Sequence, residues 1–322
     1  MIERNKKYQL VFILFFLLMA FYSCQKEIEV SIPFNEKKIV VDGRIEQGIP
    51  PYVILTQNMP YFGTTDLNAI ENAFIHNAVV KVSDGVHEVI LDEYYSQSYP
   101  DSLKELFASI TGIDSNIVKN FNFSVYTTIN FSILGKIGNT YSLTITTNGQ
   151  ELSSVTTINH PVPIDSLWYK YEKVTSKGDS LGYVWGHFTE PGNEYNSYRW
   201  LAKRVGKDIS YVPPMGAAFN DKYINGQSFD FFYNRGRMPN SQAPDDYNEE
   251  AGYFKKGDTV AIKLCSIDDK VYKFYRSLDI VQNNNGNPFS SPASVESNIE
   301  PRSKALGVWC GYGVYADTLI FK

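Results

Sequence analysis

Four histidines and three cysteines in 322 residues leave little material for metal or thiol chemistry. The histidines (His76, His87, His160, His187) stand far apart, and no His-x-His or His-x-x-x-His pair supplies a zinc-type spacing. A Gly-x-Ser-x-Gly pattern occurs at Gly178-Asp179-Ser180-Leu181-Gly182, but it runs into the alternating strand of Tyr183, Trp185 and His187 rather than into a helix. It so lacks the context of a hydrolase elbow, and no phosphate-cradling Gly-Lys-Thr/Ser loop occurs. Basic residues do not cluster. Against 30 Lys and Arg stand 35 Asp and Glu, a net charge of −5, and no basic stripe offers the counterion displacement that nucleic-acid binding requires. Neither nucleic acid nor a cofactor is an expected partner. The densest acidic group, Asp245, Asp246, Glu249 and Glu250, matches no EF-hand spacing and reads as a solvated loop. A pair of catalytic carboxylates leaves no mark in sequence, because such acids are defined by their separation in space. A hydrolase is therefore the least favoured reading.

What the sequence does contain begins at its N-terminus. A charged start (Arg4, Lys6, Lys7) leads into an unbroken apolar run from Leu10 to Phe21, followed by Ser23 and Cys24. The run has the length of a signal-peptide core and is too short for a bilayer of roughly 30 Å. Residues 1–23 are expected to be removed as a lipoprotein signal peptide, leaving Cys24 as the site of acyl (palmitate-type) attachment. More than one chain at roughly 0.8 kcal/mol per buried methylene gives stable anchoring. Gln25 after the cysteine argues against retention at the inner membrane, and Lys26-Glu27 is similar to a short surface-export signal. The expected address is the outer membrane, with the cell surface favoured over its periplasmic face. Since the leader carries three basic residues and Glu3, its loss takes the chain from −5 to −7.

The body reads as mainly β. Aromatics are plentiful, with 23 Tyr and 20 Phe, and Thr, Val and Ile fill many short runs. After a tether at 24–36, residues 38–45 form a β-branched strand in which Asp42-Gly43 suggests a bulge or turn. Residues 78–83 and 87–91 flank Asp84-Gly85, and 140–147 and 151–158 flank Asn148-Gly149. Both are hairpin signals. Between them, Ser102 and Glu105 form a capping box ahead of Leu103, Leu106, Phe107 and Ile110 at helical spacing. Pro161 and Pro163 mark a stiff connection. Two β-sandwich domains of immunoglobulin or transthyretin-like character follow, at 37–160 and 164–322, with a few short helices. In the second, Tyr183, Trp185 and His187 share one strand face, and Ser266 with Asp269 caps a helix carrying Val271, Phe274, Tyr275 and Leu278.

Two features of the second half bear on function. Cys265 and Cys310 either form one disulfide in an oxidising envelope or stand as two buried thiols, and one pair gives no spacing that decides between them. The segment Phe229, Phe231, Phe232, Tyr233 with Arg235 and Arg237 is a candidate interface, because aromatics and Arg are enriched where partners bind. Alternating aromatics equally fill a sandwich core, which leaves Arg235 and Arg237 as the expected exposed contributors. The polar loop from Asn283 to Phe289 is a weaker candidate.

An ordered set of phrases resembles the Bacteroidota lipoprotein family known only as domain of unknown function 4249. They are Ile39-Val40-Val41-Asp42-Gly43, Gly138-Asn139-Thr140-Tyr141, Asn225-Gly226-Gln227, Gly257-Asp258, Ser266-Ile267-Asp268 before Tyr272, Asn287-Pro288-Phe289 before Ser297-Asn298-Ile299, and Leu306-Gly307-Val308 with Gly311-Tyr312. Trp309-Cys310 departs from the usual phrase. The resemblance implies an outer-membrane lipoprotein working beside a TonB-dependent transporter, and it brings no catalytic residues to transfer. The expected function is thus that of a non-enzymatic binding or accessory subunit, with a carbohydrate-binding or adhesion module as the alternative.

Overall fold

Local turn chemistry builds the first recognisable units. The computed structural model describes residues 37–58, 69, 71–98, 104, 123–192, 194–237, 243–284 and 294–322. The leader, Cys24, the tether, the capped helix at 102–110 apart from Lys104, and the loop at 285–289 lie outside the described residues. Strands β3 (Val79–Ser83) and β4 (Glu88–Tyr95) form the expected hairpin across Asp84-Gly85. Strands β6 (Thr140–Thr147) and β7 (Gln150–Thr157) form the other, with Asn148 and Gly149 both at positive φ, as a two-residue type I′ connection demands.

Longer-range pairing joins these hairpins to the rest. Strand β1 (Ile39–Glu46) pairs antiparallel with β2 (Tyr52–Gln57), which continues through β5 (Ser124–Thr127) to β4. Asp42-Gly43 does not interrupt β1. The strand runs straight through, and Gly43 is required because the Trp309 ring lies where a Cβ would stand. The second half contributes β8 (Ser166–Val174), β9 (Ser180–Thr189), β12 (Ser228–Tyr233) and β13 (Phe254–Lys255) as a four-stranded sheet. Its other strands, β10 (Ser197–Arg204), β11 (Ala218–Asn220), β14 (Thr259–Ile267) and β15 (Ala305–Ile320), extend the first sheet into one of 11 strands. The chain is mainly β, as expected.

The final strand does not respect the boundary expected at 161–163. Residues 305–312 of β15 run parallel to β1, and residues 313–320 run antiparallel to β14. One strand therefore serves both halves, and residues 37–322 form a single compact unit. Gly311 and Gly313 sit at the hand-off because the Thr157 and Asn159 carbonyls lie where their Cβ atoms would be. The Gly311 amide also donates to Thr156 Oγ1 at 2.8 Å, closing β7 against β15.

Three cores result. Val41, Val53, Leu55, Tyr141, Leu143 and Trp309 fill the first, Val184, Phe188, Tyr198, Trp200, Ile262 and Phe321 the second. The third lies under α1 (Asp269–Asn284), where Val271, Phe274 and Tyr275 cover Cys265, Cys310 and Tyr312. Ser266 does not cap this helix, since it belongs to β14. Asp268 sits at its start instead, its carboxylate accepting from Thr156 Oγ1 at 2.8 Å and the Thr157 amide at 2.7 Å.

Candidate functional site

Alternation along three strands brings charged side chains to the sheet face that α1 only partly covers. Successive strand residues point to opposite faces, so Asp42, Arg44 and Glu46 of β1 turn away from the first core while Val41 and Ile45 enter it. On β10 the same rule sends Arg199, Leu201 and Lys203 to this side, and on β14 it sends Lys263 and Cys265. Register completes the juxtaposition: Cys265 lies opposite both Arg199 and Val314, Glu46 opposite Tyr312, and Arg44 opposite Tyr52.

Beside the end of α1's coverage these residues enclose a cavity of about 240 Å³. Its charged lining is Arg44, Lys203, Lys263 and Glu46, and its walls include Tyr52, Leu201, Tyr211 and Tyr312. Lys263 Nζ pairs with Glu46 Oε1 at 2.6 Å, and Arg44 Nε lies 3.3 Å from Asp42. The Lys203 and Lys263 ammonium groups each stand 4.8 Å from the Tyr211 ring, one cation–π contact apiece. Behind Tyr312 lies Arg199, only 7% exposed. Its guanidinium stacks 3.5 Å from the Tyr275 ring and donates to the Tyr312 hydroxyl at 2.5 Å, and Tyr275 and Tyr312 share a further hydrogen bond at 3.0 Å. Burial pushes the Tyr52 and Tyr312 phenols well above their usual range, so both remain neutral donors and acceptors.

Cys265 lines the cavity as a protonated thiol, since burial pushes it up to about 12. The disulfide left open by the sequence is not formed: Cys265 and Cys310 are separate buried thiols. Residue 265 pairs with Val314, four positions along β15 from Cys310. At about 3.3 Å per residue that offset is roughly 13 Å, beyond the roughly 7 Å Cα reach of a disulfide.

Arg235 is not an exposed contact. It is buried at 6% and donates to Asp246 Oδ1 at 2.5 Å and to the carbonyls of Asp245, Glu250 and Tyr253. The acidic group is correspondingly only partly solvated, with Asp246 buried and Glu249 exposed. Asp246 is buried against Arg235, Asp245 pairs with Arg204, and Glu249 accepts from Ser176. Arg237 is exposed, with its guanidinium 5.1 Å from the Tyr247 ring. Among the described residues no three His, Cys, Asp or Glu side chains converge where a metal ion would sit. No helix among them is long and apolar enough to cross a membrane.

A second surface lies on the outer face of the four-stranded sheet. Trp168, Trp185 and Phe232 are direct register neighbours on β8, β9 and β12, with centroids 6.4 and 5.6 Å apart. Tyr183 extends the row to Phe232 and Tyr253 at 5.0 and 4.8 Å. Lys170 stands over Trp185, Lys173 over Tyr253, and His187 Nδ1 meets Asp230 at 2.6 Å. Phe229, Phe231 and Tyr233, the alternate residues of β12, pack toward the second core.

Sequence reading did not assemble Arg44, Arg199, Lys203 and Lys263. The signal available was a charged residue inside an otherwise buried strand, as in Ser197–Arg204 and Thr259–Ile267. What the fold and the cavity define is a mainly β protein with a charged cavity where its last strand passes between halves. The model of the family described as domain of unknown function DUF4249 matches residues 25–317, and the chain belongs to that family. No curated protein matches it.

Proposed function

We propose that this chain is a lipid-anchored, non-enzymatic binding subunit of the bacterial outer membrane, held by acyl chains on Cys24 and working beside a TonB-dependent transporter. The leader ending at Ser23-Cys24 supports the anchor, and the Bacteroidota lipoproteins that the sequence resembles support the setting. The observation that carries a binding role is the cavity of about 240 Å³, walled by side chains from β1, β2, β10, β14 and β15. A ligand there touches residues of both halves of the fold. Metabolic labelling with a fatty-acid probe, followed by purification in mild detergent, tests the reading. The expected product is labelled, begins at Cys24 and brings a β-barrel transporter with it. An unlabelled product that keeps its leader, recovered alone, contradicts it.

The aromatic row on β8, β9 and β12 favours a second reading, a carbohydrate-binding or adhesion module. Flat rings such as Trp168 and Trp185 stack on the apolar faces of sugar rings, and the flanking Lys170, His187 and Asp230 offer hydroxyl partners. Glycan-array binding that disappears with Trp168→Ala and Trp185→Ala supports it, and silence of the wild-type protein on the array removes it.

A further inference from the structure

We propose that the seam cavity binds a small organic anion, whose carboxylate or phosphate oxygens meet Arg44 and Lys203, with the Arg199–Tyr312 pair supporting them from behind. The proposal rests on the cavity being the ligand site and names the class of ligand it takes.

Charge carries the argument. Four cations stand in or directly behind the cavity: Arg44, Lys203, Lys263 and Arg199. Two carboxylates answer them at close range, Glu46 to Lys263 and Asp42 to Arg44. Among the described residues Lys203 has no carboxylate within ion-pair distance and rests on the Tyr211 ring. Arg199 has none either, and its contacts are two phenols. Asp279 lies within the field of Arg199, yet its carboxylate accepts from the Gly216 amide at 3.1 Å. An excess of buried positive charge is costly unless a counter-charge joins it. In a chain of net −5, this excess is local and faces a concave surface, the arrangement that concentrates anions.

Size and walls narrow the class. At about 240 Å³ the cavity falls below the roughly 300 Å³ at which drug-sized ligands begin. Tyr211, Tyr52, Leu201 and Pro50 supply aromatic and aliphatic surface beside the cations. That surface suits a short carbon skeleton bearing one or two oxyanion groups better than a bare, strongly hydrated ion.

The test is calorimetric titration of the full lipidated protein in a neutral detergent at constant ionic strength. One series uses malonate, succinate and glycerol 3-phosphate, and a second uses dimethyl malonate, succinamide and glycerol. Saturable one-to-one binding is expected in the first series alone. Lys203→Gln and Arg199→Met should each weaken it by about tenfold or more, the scale of one lost charge contact. Lys81→Gln on β3 should leave it unchanged, which guards against a general charge effect. A preference within the first series assigns the ligand to carboxylic acids or to phosphate esters. Anion binding that survives Lys203→Gln and Arg199→Met overturns the proposal. Equal or tighter binding of the neutral series overturns the anion class while keeping the cavity as the ligand site, and silence in both series overturns the two together.

Discussion

Arg199 donates to the Tyr312 hydroxyl at 2.5 Å from a position only 7% exposed, with no carboxylate beside it among the described residues. The pair binds β10 to the residue at which β15 leaves β1, so a charge is stored at the point where the halves meet. Replacing a buried charge that lacks an ion partner by an apolar chain of similar volume is neutral or stabilising. Arg199→Met is therefore expected to keep urea stability within about 1 kcal/mol of wild type or to raise it. Tyr312→Phe removes a partner and leaves the charge, and is expected to cost about 1.5–3 kcal/mol. Equal losses from both variants would show that Arg199 is held there for stability.

Arg235 presents the opposite case, a buried cation with a buried carboxylate. Arg235→Met leaves Asp246, itself 8% exposed, without its guanidinium partner and strips three carbonyls of a donor. The expected loss is about 3–5 kcal/mol in denaturant unfolding. Arg237→Ala, at an exposed position, should stay within about 0.5 kcal/mol. A mild Arg235 variant with a damaging Arg237 one would reverse the assignment.

The hand-off along β15 depends on glycine. In Gly313→Ala the added methyl falls on the Asn159 carbonyl, a backbone atom that cannot turn aside. A loss of about 2–3 kcal/mol is expected. If urea unfolding of this variant matches wild type, β15 does not pass so close to the end of the first half.

Acid should unfold the protein partly through the β3–β4 turn. Asp84 accepts from the Val86 and His87 amides at 3.0 and 2.7 Å, and His87 Nδ1 lies 3.3 Å away. The His87 amide, more than any other contact, holds its carboxyl down to about 2. A depressed folded pKa means that the stabilisation is complete above the unfolded carboxylate value, near 3.9, and is lost as pH falls toward 2. Asp84→Ala should thus lower stability at pH 7 by about 1–2 kcal/mol, and the gap should narrow between pH 4 and pH 2. A gap that holds constant down to pH 2 rules out the charged acceptor.

How much of this was legible beforehand follows from the distance over which each feature is encoded. The hairpins at Asp84-Gly85 and Asn148-Gly149 are written within a dozen residues, in turn chemistry and alternation, and both are present. The β1–β15 pairing is not local. It joins Ile39 to Ala305, and nothing in either segment names the other, so the shared strand stayed hidden behind an apparent boundary at Pro161. Gly43 looked like an interruption because its reason, the Trp309 ring, lies at the far end of the chain. Arg235 looked like an interface residue because its partner Asp246 sits in what read as a solvated loop. The four cations of the seam come from β1, β10 and β14, and only register brings them together.

Direct observation of an anion in the seam is the sharpest test. Crystals of the lipidated protein soaked in selenomalonate, measured at the selenium edge, should show an anomalous peak within hydrogen-bonding reach of Arg44 and Lys203. The same soak of Lys203→Gln crystals should lose that peak and keep any on the outer surface. Selenium density confined to surface lysines, with none between Arg44 and Lys203 in the wild-type crystals, contradicts the account.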